Sequence, residues 1–486
     1  MVRGEETPII AALERYIAAR TVRFHMPGHK GGRIVDNRIR RLLGRKVFRA
    51  DVTNIPDMDD LHQPQGAIQA AQQLAAKTFG AEQTYFLVNG SSCGLQALVI
   101  ATCRPGDKIL VPRNIHRSIL GGIILSGAVP VFFMPEYYRE YGIPLGTTPQ
   151  ILQAHLNCEP DIRAVMVVNP TYHGVISDIA AIAATVHQYG IPLLVDEAHG
   201  PHLGFHSQLP ANALRSGADA AVHGTHKILA AFTQGSMLHV QGDLVDRQKL
   251  ETALRLLQST STSYLLLSSL DAARAQMENS GRDLFNKAIG SADYARKRLA
   301  DVPGITTLGA NVCSPFRLDP TKVTILVRKL GVTGFWLEER LKREYDIQVE
   351  MSDLYSLLLM ISFGNSRRDI DKLATALGGI ATALRSNSSA IAAISDKLLF
   401  LPIPDMVVPP REAFFSPVVN IPLENSPGRV SAEVIACYPP GIPIICPGER
   451  ITHDTVAYLT AMRDMGVHFQ GCHDPRLEQV SIIAED

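Results

Sequence analysis

Residues 191–200 read IPLLVDEAHG, and residues 221–230 read AVHGTHKILA. Each stretch begins as a short apolar run, typical of a strand buried on both faces, and continues into polar residues at the carboxyl end of that run. Similar runs occur from residue 85 onward, with amphipathic helical patterns between them. This alternation predicts an α/β fold with a mostly parallel sheet flanked by helices. The predicted strands are 85–88, 108–111, 129–133, 164–168, 192–195 and 220–223, and the predicted helices between them are 94–102, 117–125 and 178–189.

The second half of the chain has a different pattern. We predict long helices at 243–257 and 265–299. A strand at 322–330 followed by a helix at 334–344 indicates a smaller α+β domain. Residues 401–486 hold 12 of the 30 prolines, which is typical of a loop-rich C-terminal α+β domain. The predicted organisation is an N-terminal arm, a large domain, a small domain and a C-terminal domain, at 1–30, 31–300, 301–390 and 391–486.

The composition argues against several classes of protein. Apolar residues make up 46% of the 486 residues, enough for a sizeable core. Lys+Arg and Asp+Glu both number 47, so no net charge favours nucleic acid or an anionic membrane as the partner. The longest uncharged apolar stretch, 119–134, is short for a membrane span, and the N-terminus carries charges rather than a secretory core. Seven cysteines without a CxxC pair argue against a disulfide framework. These features predict a soluble cytoplasmic protein.

Two charged residues follow predicted buried strands. Lys227 comes shortly after the strand at 220–223, in the stretch GTHK. Burial lowers the pKa of a lysine amine and makes it a better nucleophile toward a carbonyl group, whereas a surface-loop lysine is the alternative interpretation. Asp196 follows the strand at 192–195, at the edge where ligands of open α/β sheets bind, and a turn aspartate is the alternative there.

A third feature is the stretch 84–101, TYFLVNGSSCGLQALVIA, which predicts a strand, a tight turn and a helix. Ser91 and Ser92 then place hydroxyl and N–H groups at a helix N-terminus, which suits a phosphate, although a plain serine N-cap is the alternative. Neither GxGxxG after a strand nor GxxxxGK[ST] occurs in the sequence. A nucleophilic lysine, a carboxylate for a ring nitrogen and a phosphate site are together what pyridoxal 5'-phosphate requires. We therefore predict this cofactor.

Longer motifs extend along the chain: RFHMPGHKGG, DDLHQPQGAI, FLVNGSS, PGDKILVPRNIHRS, NPTYHGVISDI, VDEAHG, THK, STSTSYLLLSSLDAAR and YPPGIPIICPGE. On these motifs the sequence resembles, over nearly its whole length, the short bacterial members of the Orn/Lys/Arg decarboxylase family. The resemblance implies the aspartate-aminotransferase fold (fold type I of pyridoxal-phosphate enzymes) and decarboxylation of a basic L-amino acid. The expected reaction is L-arginine to agmatine and CO2 in polyamine biosynthesis, and lysine or ornithine is the alternative substrate.

The resemblance also implies roles for individual residues. Lys227 would bind the cofactor as a Schiff base, and Asp196 would pair with its ring nitrogen. Shared active sites in a homodimer, or in a larger homo-oligomer, are implied as well. The other expected residues are Ser91 and Ser92 on the phosphate, His116 stacked on the ring, His199 among the cofactor contacts, His226 beside the Schiff base, Thr260 or Ser261 on the phosphate of the neighbouring subunit, and Glu350, Asp353 and Tyr438 near the distal end of the substrate.

Several assignments stay open on the sequence alone. Many relatives carry a serine three residues before the lysine, where this chain has Gly224, so Thr225 or His223 is expected to replace that phosphate contact. Asp59 and Asp60 are further candidates for the distal contact, and His226 and Lys227 are both candidates for the proton donor.

The class of protein has rival interpretations too. A metal hydrolase using His199, His202 and His206 is disfavoured because no HExxH occurs, and no metal is predicted. An aminotransferase or a carbon–sulfur lyase on the same fold is a rival enzyme class. A cofactor-binding regulator without catalysis is the rival outside the enzymes.

Overall fold

A computed structural model describes residues 6–386, 401–438 and 441–484. The chain forms two compact units, each built from two segments. The first unit comprises Met1–Ala101 and Leu194–Arg282, and the second comprises Thr102–Leu193 and Asp283–Asp486. Within the described ranges, no helix combines the length and the apolar character that crossing a membrane requires.

The helices, numbered in chain order, are α1 (Pro8–Ala19), α2 (Asn37–Ala50), α3 (Ala67–Phe79), α4 (Gly90–Thr102), α5 (Arg117–Ser126), α6 (Pro149–Cys158), α7 (Ile179–His187), α8 (Thr225–Ile228), α9 (Arg247–Leu257), α10 (Tyr264–Ala300), α11 (Ala310–Cys313), α12 (Gly334–Tyr345), α13 (Arg367–Ser386), α14 (Pro410–Phe415) and α15 (His453–Asp464).

The strands are β1 (Gln83–Leu87), β2 (Lys108–Pro112), β3 (Val129–Phe133), β4 (Glu136–Tyr138), β5 (Ile143–Gly146), β6 (Ile162–Val168), β7 (Val175–Ile176), β8 (Leu193–Asp196), β9 (Ala220–His223), β10 (Ser236–Val240), β11 (Thr306–Thr307), β12 (Arg317–Leu318), β13 (Lys322–Leu326), β14 (Met351–Ser352), β15 (Ser356–Met360), β16 (Val418–Pro422), β17 (Ile435–Tyr438), β18 (Ile442–Ile445), β19 (His468–Gln470) and β20 (Gln479–Ile483).

In the first unit the strand order is β1-β10-β9-β8. The pairs β1–β10 and β10–β9 are antiparallel, and β9–β8 is parallel. Strands β8, β9 and β10 are buried along their whole length, as their apolar sequences predict. The sequence prediction contains no strand at β10, because its apolar run SMLHV is interrupted by His239. The hydrogen-bond partners of this histidine lie on the neighbouring strands β1 and β9.

In the second unit β6, β2 and β3 follow one another in parallel. Parallel pairs therefore outnumber antiparallel ones among these five pairs, and the predicted α/β class is confirmed. The strands at 129–133 and 220–223 have the predicted bounds, and the other four predicted strands differ by at most two residues at an end. The long helices α9 and α10 are also present, with the predicted break between them.

The rest of the second unit holds two further cores. The four-stranded sheet β11-β13-β15-β14 packs its apolar face with α12 and α13, so the predicted smaller α+β region is present. The sheets β18-β17-β19 and β16-β20 surround an apolar cluster with α15 near the C-terminus. The predicted boundary at 390/391 lies outside the described residues, and the four-part domain division stays a prediction.

The start of α12 gives a test of this packing. A Cβ at Gly334 would lie 2.3 Å from the carbonyl oxygens of both Asp353 and Ser356. Gly334→Ala must displace that turn, and we expect it to lower the free energy of unfolding by about 1–3 kcal/mol. The matched control is Gly378→Ala in α13, where a Cβ meets no atom within 4 Å and alanine favours the helix. Urea unfolding measures both variants, and an unchanged midpoint for Gly334→Ala would contradict the close approach.

Candidate active site

Asp196 is the last residue of β8, and its side chain is buried. Its Oδ1 accepts a hydrogen bond from the N–H of Ala198 at 3.1 Å. Burial raises the pKa of Asp196, while the positive charge of Lys227 and this hydrogen bond oppose the rise. The strand end therefore holds a carboxylate that is stabilised by a nearby amine rather than by water.

Lys227 lies in α8, directly beyond the end of β9, as the motif predicts. Its Nζ is 3.1 Å from Nε2 of His199. The neighbouring His226 faces Gly235, with its Nδ1 2.9 Å from the carbonyl oxygen. Burial lowers the pKa of His226, which keeps this imidazole neutral near pH 7. The first unit thus brings Asp196, His199, His226 and Lys227 together at the carboxyl ends of two neighbouring parallel strands.

The serine turn lies at the start of α4, with Ser91 and Ser92 in the first helical turn and half-buried. The N–H of Ser259 donates to Oδ1 of Asn89 at 3.3 Å, so the loop before α10 adjoins this turn within the same chain. Thr260 and Ser261 follow in that loop and are exposed.

Four buried side chains next to these residues form a hydrogen-bonded array that the sequence prediction did not contain. We call them the buried array: Thr84, His239, His223 and Glu197, each at most 1% exposed. Thr84 Oγ1 is 2.7 Å from His239 Nδ1, His239 Nε2 is 3.0 Å from His223 Nδ1, and His223 Nε2 is 2.8 Å from Glu197 Oε2. Thr84, His223 and His239 lie in ordinary apolar strand patterns and Glu197 directly follows one, so only the pairing of strands reveals the array.

Of the histidines that suggested a metal site, His199 has its Nε2 3.1 Å from Nζ of Lys227, and His202 is fully buried. His223 uses both ring nitrogens in the buried array. The structure, over its described ranges, contains no group of three His, Cys, Asp or Glu side chains that could hold a metal ion.

His116 and the predicted substrate residues belong to the second unit. His116 caps the N-terminus of α5, where its Nδ1 accepts from the N–H of Ser118 at 3.2 Å. Glu350 is exposed, and its N–H donates to the carbonyl oxygen of Leu358. Tyr438 ends β17, and the position of its side chain lies outside what the structure describes.

Asp353 lines a cavity of about 210 Å³ in the second unit. Its Oδ2 is 3.2 Å from Nε2 of His173, and its carboxylate also accepts from Ser356. Burial raises the pKa of Tyr137, on the cavity wall, to about 12. The cavity therefore combines one partly exposed carboxylate with a neutral phenol, an imidazole and the guanidinium of Arg113. Its polar wall is formed by Arg113, Tyr137, His173, Asp353, Cys437 and Tyr458.

A buried ion pair in the second unit was also missed. Arg113 donates from Nη1 and Nη2 to the two carboxylate oxygens of Glu449, and Nη2 also donates to the carbonyl oxygen of Ile444 at 2.8 Å. Glu449 is fully buried. The pair links the motif PGDKILVPRNIHRS, which contains Arg113, to the motif YPPGIPIICPGE, which contains Glu449. The sequence signal was present, because Arg113 and Glu449 stand in these two motifs without an assigned role.

The fold and the lysine–carboxylate site define an α/β enzyme of fold type I. A family model described as Orn/Lys/Arg decarboxylase, major domain, matches residues 7–369, and one described as Orn/Lys/Arg decarboxylase, C-terminal domain, matches residues 394–477. The chain belongs to the Orn/Lys/Arg decarboxylase family.

Individual relatives agree with this assignment. The chain is 40% identical to an arginine decarboxylase of Bacillus subtilis, over 99% of this chain and 98% of the relative. It is also 40% identical to an arginine decarboxylase of Halalkalibacterium halodurans, over 100% of this chain and 99% of the relative. The solved lysine decarboxylase LdcF of Francisella novicida has a TM-score of 0.85 at 24% identity, covering 98% of this chain and 81% of that one, which shows the shared fold.

The buried array predicts a pH dependence of stability. Burial lowers the pKa of His239 well below its ordinary value of 6.5, and His223 lowers it further. The unfolded chain binds a proton at this residue where the folded protein does not, so its stabilising contribution is present above about pH 6.5 and is lost as the pH falls. We expect the wild type to lose more stability from about pH 7 to about pH 5 than His239→Gln does. Thermal unfolding across this range measures the difference, with the exposed His453→Gln as control. Parallel pH profiles for wild type and His239→Gln would contradict the prediction.

Proposed function

We propose that this protein catalyses the pyridoxal-phosphate-dependent decarboxylation of L-arginine to agmatine and CO2. The observation that carries the proposal is the 3.1 Å contact between Lys227 Nζ and His199 Nε2, close to the buried carboxylate of Asp196. A nucleophilic amine and a carboxylate are the two protein groups that this cofactor needs. Arginine is favoured because relatives named arginine decarboxylases match over nearly the full length of both chains.

Features of the serine turn fit a phosphate-bearing cofactor. Gly90 has a φ of +76°, and a Cβ there would meet no atom within 4 Å, so the first turn of α4 has open space before it. Ser91 and Ser92 would bind the phosphate with their hydroxyl and N–H groups, helped by the positive end of the helix dipole.

The position of Gly224 also fits. A Cβ there would lie 2.8 Å from the carbonyl oxygen of Ala198 and 3.0 Å from Cδ of Lys227, so this backbone favours glycine over the serine of many relatives. The hydroxyl of Thr225 is buried and has no hydrogen-bond partner in the described part of the chain. Since both ring nitrogens of His223 are engaged, Thr225 is the better candidate for the remaining phosphate contact.

Lys227, Asp196 and His199 have different roles toward the cofactor. Bound pyridoxal phosphate supplies an aldehyde for amines and a protonated ring that withdraws electrons from the bond that breaks. Lys227 provides the amine that holds it, Asp196 stabilises the positive ring nitrogen, and His199 orients the lysine. His116 would stack on the cofactor ring, as the family resemblance implies.

The reaction releases CO2 from the substrate's Cα and takes up one proton at that carbon. The two candidate donors are Lys227 and His226. Nδ1 of His226 faces a carbonyl oxygen and therefore carries the proton, which leaves Nε2 as an acceptor in the neutral ring. This supports Lys227 as the proton donor.

Recognition of a basic side chain requires an acceptor for its cation. Asp353 is the candidate that the structure supports best, because its partly exposed carboxylate lines a cavity. A planar guanidinium can use such a carboxylate together with neighbouring phenol and imidazole groups. Glu350 and Tyr438 stay proposed contacts from the family resemblance.

A homodimer with shared sites is part of the proposal, as is a cytoplasmic location. The segment around α2 exposes large apolar side chains, with Phe24, Ile34 and Leu42 each more than 80% exposed. Patches of this kind favour a protein partner, and a second copy of the chain is the partner that the resemblance implies. Thr260 and Ser261 are exposed in the single chain and lie outside the core, which supports contact with a neighbouring subunit.

The first prediction of this proposal concerns the product. Protein loaded with pyridoxal phosphate and given equimolar arginine, lysine and ornithine should form agmatine, detected by mass spectrometry. Lys227→Ala should lose amine formation and the visible absorbance of the bound cofactor, whereas Lys287→Ala, an exposed lysine on α10, should keep both. Cadaverine or putrescine as the main product would reject the substrate, and cofactor binding without any amine would favour an aminotransferase or lyase.

A second prediction distinguishes active sites that two subunits share from active sites formed within one chain. We expect the double variant Thr260→Ala/Ser261→Ala to bind cofactor more weakly and to lose most of its activity. Mixed with Lys227→Ala under conditions that exchange subunits, it should regain up to about a quarter of wild-type activity, because one site of each heterodimer then has both wild-type contributions. No recovery on mixing would mean that the loop serves its own chain, as the contact between Ser259 and Asn89 would permit.

A further inference from the structure

With Glu197 as a carboxylate, the hydrogen bonds of the buried array have one direction that satisfies every atom. Burial raises the pKa of Glu197, and its hydrogen bond with His223 opposes the rise. As a carboxylate, Glu197 only accepts, and it takes the N–H of Ala213 at 2.8 Å and Nε2–H of His223 at 2.8 Å. Nδ1 of His223 then accepts from Nε2–H of His239, and Nδ1 of His239 accepts from the hydroxyl of Thr84. Each hydrogen bond of the array is therefore donated in the direction from Thr84 toward Glu197.

The surroundings keep water away from the array. The ring of Phe79 lies against both imidazoles, with centroids 5.2 Å from His223 and 4.9 Å from His239. His202, which is fully buried, is a further titratable group whose charge acts on Glu197. Because water cannot replace a lost partner here, removing one donor leaves a buried acceptor unsatisfied and disturbs the whole chain of bonds.

One bond of the array joins the two segments that carry the proposed active-site residues. Glu197 directly follows Asp196, and His223 comes four residues before Lys227. Beyond this pair, the N–H of Gly224 donates to the carbonyl oxygen of Ala198 at 3.2 Å. The Glu197–His223 bond therefore sets the spacing between the end of β8 and the start of α8.

We propose that the buried array is a positioning device in which the Thr84 hydroxyl, acting through His239, His223 and Glu197, holds Asp196 and Lys227 in their relative positions. Its members are positioning residues, since none is argued to touch substrate or cofactor. The inference rests on the proposed function for the roles of Asp196 and Lys227, but not on the identity of the substrate.

Thr84→Val tests the array at the end remote from the active site. The substitution keeps the shape of the side chain and removes the terminal donor. We expect kcat to fall about tenfold with KM changed less than about twofold, and the pH midpoint of the bound cofactor's visible absorbance to shift. Thr84→Ser restores the hydroxyl and should behave as wild type. Thr324→Val, a buried strand threonine in β13, is the matched control and should leave kcat and the absorbance midpoint unchanged.

Glu197→Gln tests the other end. A glutamine can bond both neighbours only if its NH2 donates to His223, which reverses every proton in the array. We expect a shifted absorbance midpoint here too, in a protein that still folds.

If both variants change only the thermal unfolding midpoint and leave kcat and the absorbance midpoint as in wild type, the array is structural and the inference is wrong. If the wild type binds cofactor but forms no amine, the proposed function fails, while the absorbance midpoints still decide the role of the array.

Discussion

The hydrogen bond between Glu197 and His223 removes two ionisable side chains from water at the ends of neighbouring parallel strands. Neither group is tolerable there alone, because a buried carboxylate without a partner costs several kcal/mol and a buried imidazole without a partner leaves a polar atom unsatisfied. Their pairing makes it possible for Asp196 and Lys227, one and four residues away in sequence, to be buried or half-buried as well. Asp196 and Lys227 thus depend on the adjacent pair of Glu197 and His223. The low dielectric of the interior strengthens the electrostatic interaction within each pair.

The second unit uses the same principle at another place. The buried pair of Arg113 and Glu449 joins the segment after β2 to the C-terminal region, and the two-pronged geometry of the guanidinium fixes their orientation. Close backbone approach is the complementary constraint. At Gly224 and Gly334 the chain passes so near to carbonyl oxygens that a single added carbon would collide with them. The close approach at Gly224 lies next to α8, which carries Lys227, and the close approach at Gly334 fixes the turn that carries Asp353.

The fold was largely predictable because its signals are local. Apolar runs of strand length, separated by amphipathic helical patterns, identified six strands to within two residues at each end. The positions of Lys227 and Asp196 were predictable for the same reason, since a charged residue at or shortly after the end of a buried strand is visible in a short window of sequence. Strand β10 and the buried array were not predictable. His239 and Thr84 find their hydrogen-bond partners only when β1, β10 and β9 lie side by side.

The sequence by itself determined the α/β class, the family and the positions of the lysine, the carboxylate and the serine turn, because each is encoded within a few consecutive residues. Tertiary structure alone decided which partner each buried polar group has: His199 for Lys227, Glu197 for His223 and Arg113 for Glu449. The physical reason is that a hydrogen bond depends on distance in space, while these partners are separated by 26 to 336 positions along the chain.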